Sequence, residues 1–260
     1  NTHIKWRALL KRADALDCEF IATGHYARLG QTPDRYFIRK AVDGTKDQSY
    51  VLWGLQQDLL CRTIFPLGEY LKKDVRTLAN DYGYPDLATK KESYEICFVP
   101  DNDYRSFLRH KVPGLEGRVQ GGNFVDKSGN IMGRHKGYPF YTVGQRKGLD
   151  VTFGKPVYVT AIDPDNNIVV LGEESDLFRE VMTVGSINLM KYDSIRPKTE
   201  AITRIRYKDP GNHSILYPGD DDIQVHFFES AKGVAPGQSA VFYEGEDVIG
   251  GGIIRASGRT

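Results

Sequence analysis

Apolar residues near the start of the chain recur at helical spacing. Trp6, Leu9, Leu10 and Ala13 fall at i, i+3, i+4 and i+7, which predicts one buried stripe on a helix, and the run Phe20-Ile21-Ala22 behind it predicts a buried strand. The same spacing returns at Val75, Leu78, Ala79 and Tyr82, with Asp74 early in that helix and Gly83 placed to end it in the left-handed conformation. Residues 95–99 form a second short apolar run. Helices alternating with strands predict a layered α/β sheet. Behind residue 110 the period changes to two: residues 156–162, 168–171, 201–207, 223–228 and 239–243 alternate apolar and polar side chains, as strands do when one face is buried. Asp126-Lys127-Ser128-Gly129 and Asp163-Pro164-Asp165-Asn166-Asn167 supply turn chemistry between such runs. The expected fold class is therefore α/β in front, followed by two small β units.

Composition sharpens that division. Of 27 glycines only 6 precede residue 111, and 8 of the 12 prolines follow it, so the back is punctuated for many short strands. The length of 260 residues fits about two domains of ~100–200 residues each. Net charge is +1, divided as +2 before residue 111 and −1 after it, so neither half is a nucleic-acid footprint by net charge. Cys18, Cys61 and Cys97 are odd in number and lack any C-x-x-C, which argues against a disulfide framework or a structural zinc site and for a reducing, cytoplasmic setting. No apolar run approaches the ~18 residues of a membrane span, and no secretory signal opens the chain. Asn1 leads almost directly into a helix with no strand before it, whereas a nucleotide-binding α/β domain places its phosphate loop after its first strand; a truncated chain is expected.

Several segments carry candidate chemistry, each beside a plainer explanation. Cys97 lies near the end of a short apolar run where a loop begins, although a buried cysteine acting as a small hydrophobe fits as well. Thr23-Gly24-His25-Tyr26 follows the first strand; Gly24 permits close backbone approach and His25 offers a switchable donor, yet a tight turn with a surface histidine has the same appearance. Lys46-Asp47-Gln48-Ser49 gathers a cation, an anion and an amide at a helix entrance, where Asp47 or Ser49 is also a plain N-cap. Gln145-Arg146-Lys147, between Gly144 and Gly148, is suited to phosphate contact or to a solvated hairpin. Arg204, Arg206 and Lys208 alternate and would share a strand face able to track a polyanion; ordinary exposure predicts the same alternation. Gln238, after Gly237, is either a turn residue or a reader of base edges.

Taken in order, these segments resemble the tRNA-specific 2-thiouridylases, which install sulfur at position 2 of the wobble uridine at the expense of ATP. The resemblance covers essentially the whole chain. It is carried by Asn1-Thr2-His3-Ile4-Lys5-Trp6, Thr23-Gly24-His25-Tyr26, Lys46-Asp47-Gln48-Ser49-Tyr50, Ile96-Cys97-Phe98, Tyr141-Thr142-Val143-Gly144-Gln145-Arg146-Lys147-Gly148-Leu149, Pro236-Gly237-Gln238-Ser239-Ala240-Val241-Phe242-Tyr243 and Gly250-Gly251-Gly252-Ile253-Ile254.

The resemblance implies residues 1–110 as the C-terminal part of an adenylation domain, 111–182 as a central β domain and 183–260 as a C-terminal β-barrel. It implies Cys97 as the cysteine that carries sulfur as a persulfide, Gly24 as a nucleotide contact, and His25, Lys46, Asp47, Gln48, Arg206, Tyr207 and Gln238 as tRNA contacts. ATP with Mg2+, the anticodon arm of tRNA and a sulfur-donor or relay protein are the implied cofactors and partners; no metal ligand and no membrane are expected. The family's Ser-Gly-Gly-x-Asp-Ser loop does not occur here, and its other catalytic cysteine, which would form a transient disulfide with Cys97, directly precedes the stretch matching residues 1–6. As given, the chain is expected to be inactive. The family usually has Asp-Ser-Thr-Gly before Ile-Cys, where this chain has Glu92-Ser93-Tyr94-Glu95; Glu95 narrows backbone freedom, and a carboxylate near Cys97 disfavours the thiolate. A non-catalytic module binding RNA or a translation factor is the alternative, since small β-barrels commonly serve as platforms. A phosphate-loop ligase or amidotransferase acting on a small metabolite is a third.

Overall fold

The computed structural model describes residues 5–90, 99, 103–149, 154 and 156–258. The chain begins with α1 (Arg7–Ala15), β1 (Ile21–Ala22), the hairpin of β2 (Ala27–Gln31) and β3 (Tyr36–Lys40), a 3-10 turn at Ser49–Leu52, α2 (Gln57–Leu60), β4 (Thr63–Ile64), α3 (Lys72–Asp81) and α4 (Pro85–Thr89). The middle carries α5 (Tyr104–Lys111), α6 (Leu115–Val119), β5 (Asn123–Val125), β6 (Ile131–Arg134), β7 (Tyr158–Asp163) and β8 (Ile168–Gly172). Long strands then follow: β9 (Phe178–Leu189), β10 (Thr199–Arg204), β11 (Asn212–Pro218), β12 (Asp222–Lys232), β13 (Ser239–Glu244) and β14 (Asp247–Gly258). These elements gather into two compact units. One comprises Asn1–Lys90, Glu180–Ser230 and Pro236–Thr260; the other Lys91–Arg179 and Ala231–Ala235.

In the first unit the strands run in the order β13-β10-β11-β12-β9-β14, and β13 also pairs with β14, closing a six-stranded barrel. The period-two pattern explains the closure: in β12, Ile223, Val225 and Phe227 are buried while Gln224 and Phe228 are exposed. The hairpin β2–β3 extends this sheet, β3 pairing with β14 at Arg39 and Asp247. Arg39 Nε donates to Asp247 Oδ1 at 2.8 Å and Arg28 Nη2 to Glu246 Oε2 at 2.8 Å, so ion pairs fasten the joint. Beneath it one core runs from Trp6, Leu10, Ile21, Leu52 and Leu60 to Met190, Val241, Tyr243 and Val248.

The predicted first helix forms as α1, with Trp6, Leu10 and Ala13 buried and Leu9 left at the edge. The Trp6 indole Nε1–H donates to Thr63 Oγ1 at 2.9 Å, tying the helix to β4, which lies parallel to β1 in the register Ile21 to Thr63. The second predicted helix also forms, as α3. Gly83 closes it at φ +82°, and the Tyr84 N–H returns to the Ala79 carbonyl at 2.8 Å. Its apolar stripe is not used as expected, however: α3 buries none of its residues, and Leu78 and Tyr82 are exposed.

A second expectation needs correcting. The strand read over residues 201–207 runs as Thr199–Arg204 and stops there. The Asp209 carboxylate takes the N–H groups of Ile205 at 2.9 Å and Gly211 at 3.0 Å and turns the chain, so Arg204, Arg206 and Lys208 do not share a strand face. The short apolar run at 95–99 lies, except for Val99, outside the described residues. Among the described residues no helix is long and apolar enough to cross a membrane.

The second unit is built on a four-stranded sheet, β6-β5-β8-β7, in which β5 and β8 are parallel and the other pairs antiparallel. Phe124, Phe140, Tyr141, Val159 and Leu171 fill its core. Both predicted turns form: Asp126 accepts from the N–H groups of Ser128 and Asn130, and Asp163 from those of Asp165 and Asn166. His135 is buried against Phe124 and Tyr141. Its Nδ1 accepts from the Gly137 N–H at 3.0 Å, so Nε2 carries the proton and donates to the Asn167 carbonyl at 3.1 Å.

Burial holds the His135 imidazole below its ordinary pKa, the Asn167 hydrogen bond opposing only in part. The unfolded chain therefore takes up a proton, at ~6.5, that the native ring refuses, and the stability present above that pH declines as acidity rises. The urea midpoint is expected to fall between about pH 7 and about pH 5, and to fall less in His135→Gln.

Candidate nucleic-acid interface

Gly24 and His25 follow directly on β1, at the carboxyl end of the parallel pair β1–β4, where open α/β sheets place their ligands. Among the described residues, a Cβ built on Gly24 would meet only Leu67 Cδ1, at 3.8 Å, an ordinary contact. The packing of the described residues does not require glycine there. His25 is half-buried, with Nδ1 3.1 Å from Thr23 Oγ1 and its ring 5.2 Å from the Trp6 indole. Burial first, then the charge of Lys5, lowers its pKa to about 4, so the imidazole is neutral at physiological pH.

The segment 46–48 is the junction of the region. Gln48 pairs with Tyr26 twice, its N–H donating to the Tyr26 carbonyl at 2.8 Å and its Oε1 accepting from the Tyr26 N–H at 2.9 Å, which anchors the chain next to His25. Asp47 is buried. Its Oδ1 accepts from the N–H groups of Ala41 at 3.1 Å and Ser49 at 3.2 Å, and its Oδ2 from the Ser49 hydroxyl at 2.9 Å and Arg204 Nη1 at 3.2 Å. Since the Ser49 proton goes to Asp47, Ser49 Oγ accepts from the Tyr243 hydroxyl, 3.0 Å away. Tyr243 is fully buried under two cations, with Lys40 Nζ 4.7 Å and the Arg204 guanidinium 5.0 Å from its ring centre. Burial, with Arg204 next, lowers the Lys40 pKa, and burial raises that of Tyr243.

This arrangement joins candidates distant in sequence. Arg204 ends β10, and two residues on, in the turn made by Asp209, stand Arg206 and Tyr207, both exposed. The Tyr207 ring lies 6.3 Å from that of Tyr50, and Asp47 and Lys46 are close enough to influence its hydroxyl. The Tyr50 hydroxyl donates to the Ser239 carbonyl at 2.9 Å; burial and Asp209 push its pKa up to about 12. Gln238, immediately before Ser239, is exposed. Lys46, Arg206, Tyr207 and Gln238 thus collect around Tyr50, whereas the Asp47 carboxylate and the Gln48 carbonyl oxygen are engaged inside the protein. The sequence reading missed Ser49, Trp53 and Tyr243 as supports of this cluster; a polar or aromatic residue inside an apolar run was the sole signal.

Cys97 lies outside the described residues, so its surroundings are not part of this picture. Cys18 is exposed and Cys61 half-buried, both as free thiols. No group of three metal-ligating side chains converges among the described residues. In the second unit the loop 142–149 is fastened to β7 by backbone hydrogen bonds between Gly144, Gln145 and Val159, and within itself by the Gln145 side chain, which accepts from the Thr142 N–H at 3.1 Å and donates to the Lys147 carbonyl at 2.9 Å; it exposes Arg146 and Lys147.

Removing one partner of a buried ion pair strands the other. Asp47→Ala is expected to destabilise the first unit by roughly 3–5 kcal/mol, and Asp47→Leu combined with Arg204→Met by clearly less than the two single changes together, as measured by urea denaturation. For His25, an NMR titration is expected to find a midpoint near 4, rising toward the ordinary ~6.5 in Trp6→Ala, which opens the ring to water.

Three family models match in succession: a tRNA methyl transferase HUP domain over residues 1–101, a tRNA methyl transferase PRC-barrel domain over 105–173 and an aminomethyltransferase beta-barrel domain over 179–254. Similar whole proteins are the tRNA-specific 2-thiouridylases MnmA of Cytophaga hutchinsonii (54% identical over 258 residues), Amoebophilus asiaticus (53% over 258) and Salinibacter ruber (51% over 261). Each alignment takes in 99% of this chain and 70%, 69% and 68% of the respective relative. With an α/β front, a β domain and a six-stranded closing barrel matched in this order, the chain belongs to the MnmA tRNA-specific 2-thiouridylase family.

Proposed function

We propose that this protein replaces the 2-oxygen of the wobble uridine in tRNA by sulfur, in an ATP-dependent reaction in which Cys97 carries the incoming sulfur as a persulfide. The observation that supports this reading most directly is the gathering of Lys46, Arg206, Tyr207 and Gln238 around Tyr50, from segments more than 150 positions apart in the chain. Two cations, an exposed aromatic ring and an amide on one surface suit an RNA loop, whose phosphates need charge and whose unstacked bases need stacking and hydrogen-bonding partners. Some of the matching domain models are described by methyl transfer. Identity above 50% along nearly the whole chain favours the thiolation named for the relatives.

The residues divide the work. Lys46 and Arg206 meet phosphates, Tyr207 offers a ring face, and Gln238 an amide to a base edge. Asp47 and Gln48 act through the protein, holding the contact segments in register. Gly24, exposed just past the carboxyl end of β1, fits the approach of a nucleotide, and neutral His25 beside it donates or accepts a hydrogen bond without adding charge. ATP, when bound, makes the uridine oxygen a leaving group. The thiolate of Cys97 attacks the outer sulfur of a persulfide on a donor or relay protein, whose own thiolate leaves. The terminal sulfur of the resulting Cys97 persulfide attacks the uridine carbon, and the activated oxygen departs. The family's other catalytic cysteine attacks Cys97 Sγ, which breaks the S–S bond, leaves the sulfur on the uridine and closes a disulfide. Residues 1–260 contain no Ser-Gly-Gly-x-Asp-Ser phosphate loop and are expected not to turn over by themselves.

In the protein as the cell makes it, Cys97→Ser is expected to abolish 2-thiouridine, read by mass spectrometry of digested tRNA, while tRNA affinity stays within about twofold, a change of ~0.4 kcal/mol; normal thiolation would refute the assignment. Gly24→Ala is expected to leave stability within about 0.5 kcal/mol, because the added methyl has room, and to weaken ATP binding measured by calorimetry.

A further inference from the structure

Beside Tyr50 the first unit carries a cleft of about 650 Å³, within the ~300–1,000 Å³ range of small-ligand sites, and neither the family resemblance nor the roles assigned above use it. Arg7, Tyr50, Val51, Trp53, Ser186 and Ile187 line it. Its walls are fixed in advance. The Trp53 indole N–H donates to Ser239 Oγ at 3.0 Å, and the Asn188 amide donates to the carbonyls of Trp53 at 2.7 Å and Leu55 at 3.0 Å. Gly251 lets β14 pass against the indole: a Cβ there would stand 3.0 Å from the Trp53 ring and 2.7 Å from the Ala240 carbonyl oxygen.

The opposite wall is shaped by an irregularity in β9. Gly251 of β14 faces Asn188 and Ile253 faces Gly185, so β9 fits one extra residue between these pairs. Ser186 takes the left-handed conformation, φ +52°, which serine seldom adopts. Bulges re-aim side chains, and unfavoured backbone conformations persist where the surroundings over-determine them, so a bulge and a left-handed serine at the rim of one cleft form a built feature. The lining combines apolar, polar and cationic groups. Val51, 38% exposed, Ile187 and the Trp53 ring give apolar surface; Ser186 and Asn188 add polar groups; Arg7 places an exposed guanidinium at the mouth, 3.3 Å from Gln56 Oε1. Lys46 and Arg206 lie on the Tyr50 side, where RNA phosphates would already run under the reading above.

We propose that this cleft receives one unstacked nucleotide of the bound RNA, its base against Val51, Trp53 and Ile187 and its phosphate on Arg7. The proposal rests on the RNA reading of the preceding section and adds to it a second anchoring point, for a nucleotide outside those held around Tyr207 and Gln238. Base stacking on aromatic and apolar side chains is tolerant of base identity, so the site would fix the position of the RNA more than select its sequence.

The test uses fluorescence, since the chain has two tryptophans and Trp6 is wholly buried, which leaves Trp53 as the reporter of the cleft. The 260-residue chain is titrated with an RNA hairpin carrying an unpaired loop, with the same stem as a blunt duplex, and with UMP. The expected result is quenching by the hairpin, little by the duplex, and saturation by UMP only at far higher concentration. Arg7→Gln and Val51→Glu, both at exposed positions, are expected to lower hairpin affinity about tenfold, which corresponds to ~1.4 kcal/mol. Hairpin binding at unchanged affinity in both variants and without quenching would overturn the cleft assignment and leave the RNA reading standing. UMP binding as tightly as the hairpin would overturn it in favour of a free-nucleotide site. Absence of any RNA binding would overturn both.

Discussion

Four donors converge on one carboxylate, that of Asp47, and the candidate interface depends on that convergence. Two are backbone amides that shape the segment 41–49, one is a hydroxyl that hands the link on to Tyr243, and one is the guanidinium at the end of β10. A buried charge is tolerated only when it is paired and hydrogen-bonded, so the geometry of these partners is specified closely. Of the groups nearby, half-buried Lys46 stands one residue from Asp47, and exposed Arg206 and Tyr207 stand two and three residues from Arg204. Their spacing follows from an interaction that an RNA need not touch.

Charge is distributed accordingly. A net charge of +1 says nothing against a polyanionic partner, because binding depends on where cations cluster. At the hairpin joint Arg28 and Arg39 are neutralised by Glu246 and Asp247, and Arg204 by Asp47. Around Tyr50, Arg206 and Arg7 also bring guanidinium groups to exposed positions.

Much of the architecture could be read from periodicity, because the spacing of apolar residues reports which face is buried. The helix of Trp6, Leu10 and Ala13, the end of α3 at Gly83 and the alternation of β12 are local properties of the chain. Other features were beyond such a reading. Whether the stripe of α3 is covered depends on what lies against it, and Leu78 and Tyr82 are exposed. The strand over 201–207 stops early because a side chain at 209 competes for the backbone amide of Ile205. The resemblance marked residues 46–48 as one contact segment, yet Asp47 and Gln48 turn inward. What decides this is an arginine 157 positions away and the backbone of Tyr26, and neither pairing leaves a trace in spacing or composition.

The strand β14 lies against β9, β13 and β3, and so serves as a wall of the barrel and as the partner of the hairpin β2–β3, far from it in sequence. Its residues are made roughly 200 positions after that hairpin. The hairpin therefore waits, with one edge unsatisfied, until β14 has been made, and the core running from Trp6 to Val248 cannot close before then. A chain stopped short of residue 247 would leave the edge of β3 bare, and quality control would meet an open sheet edge there rather than a finished domain.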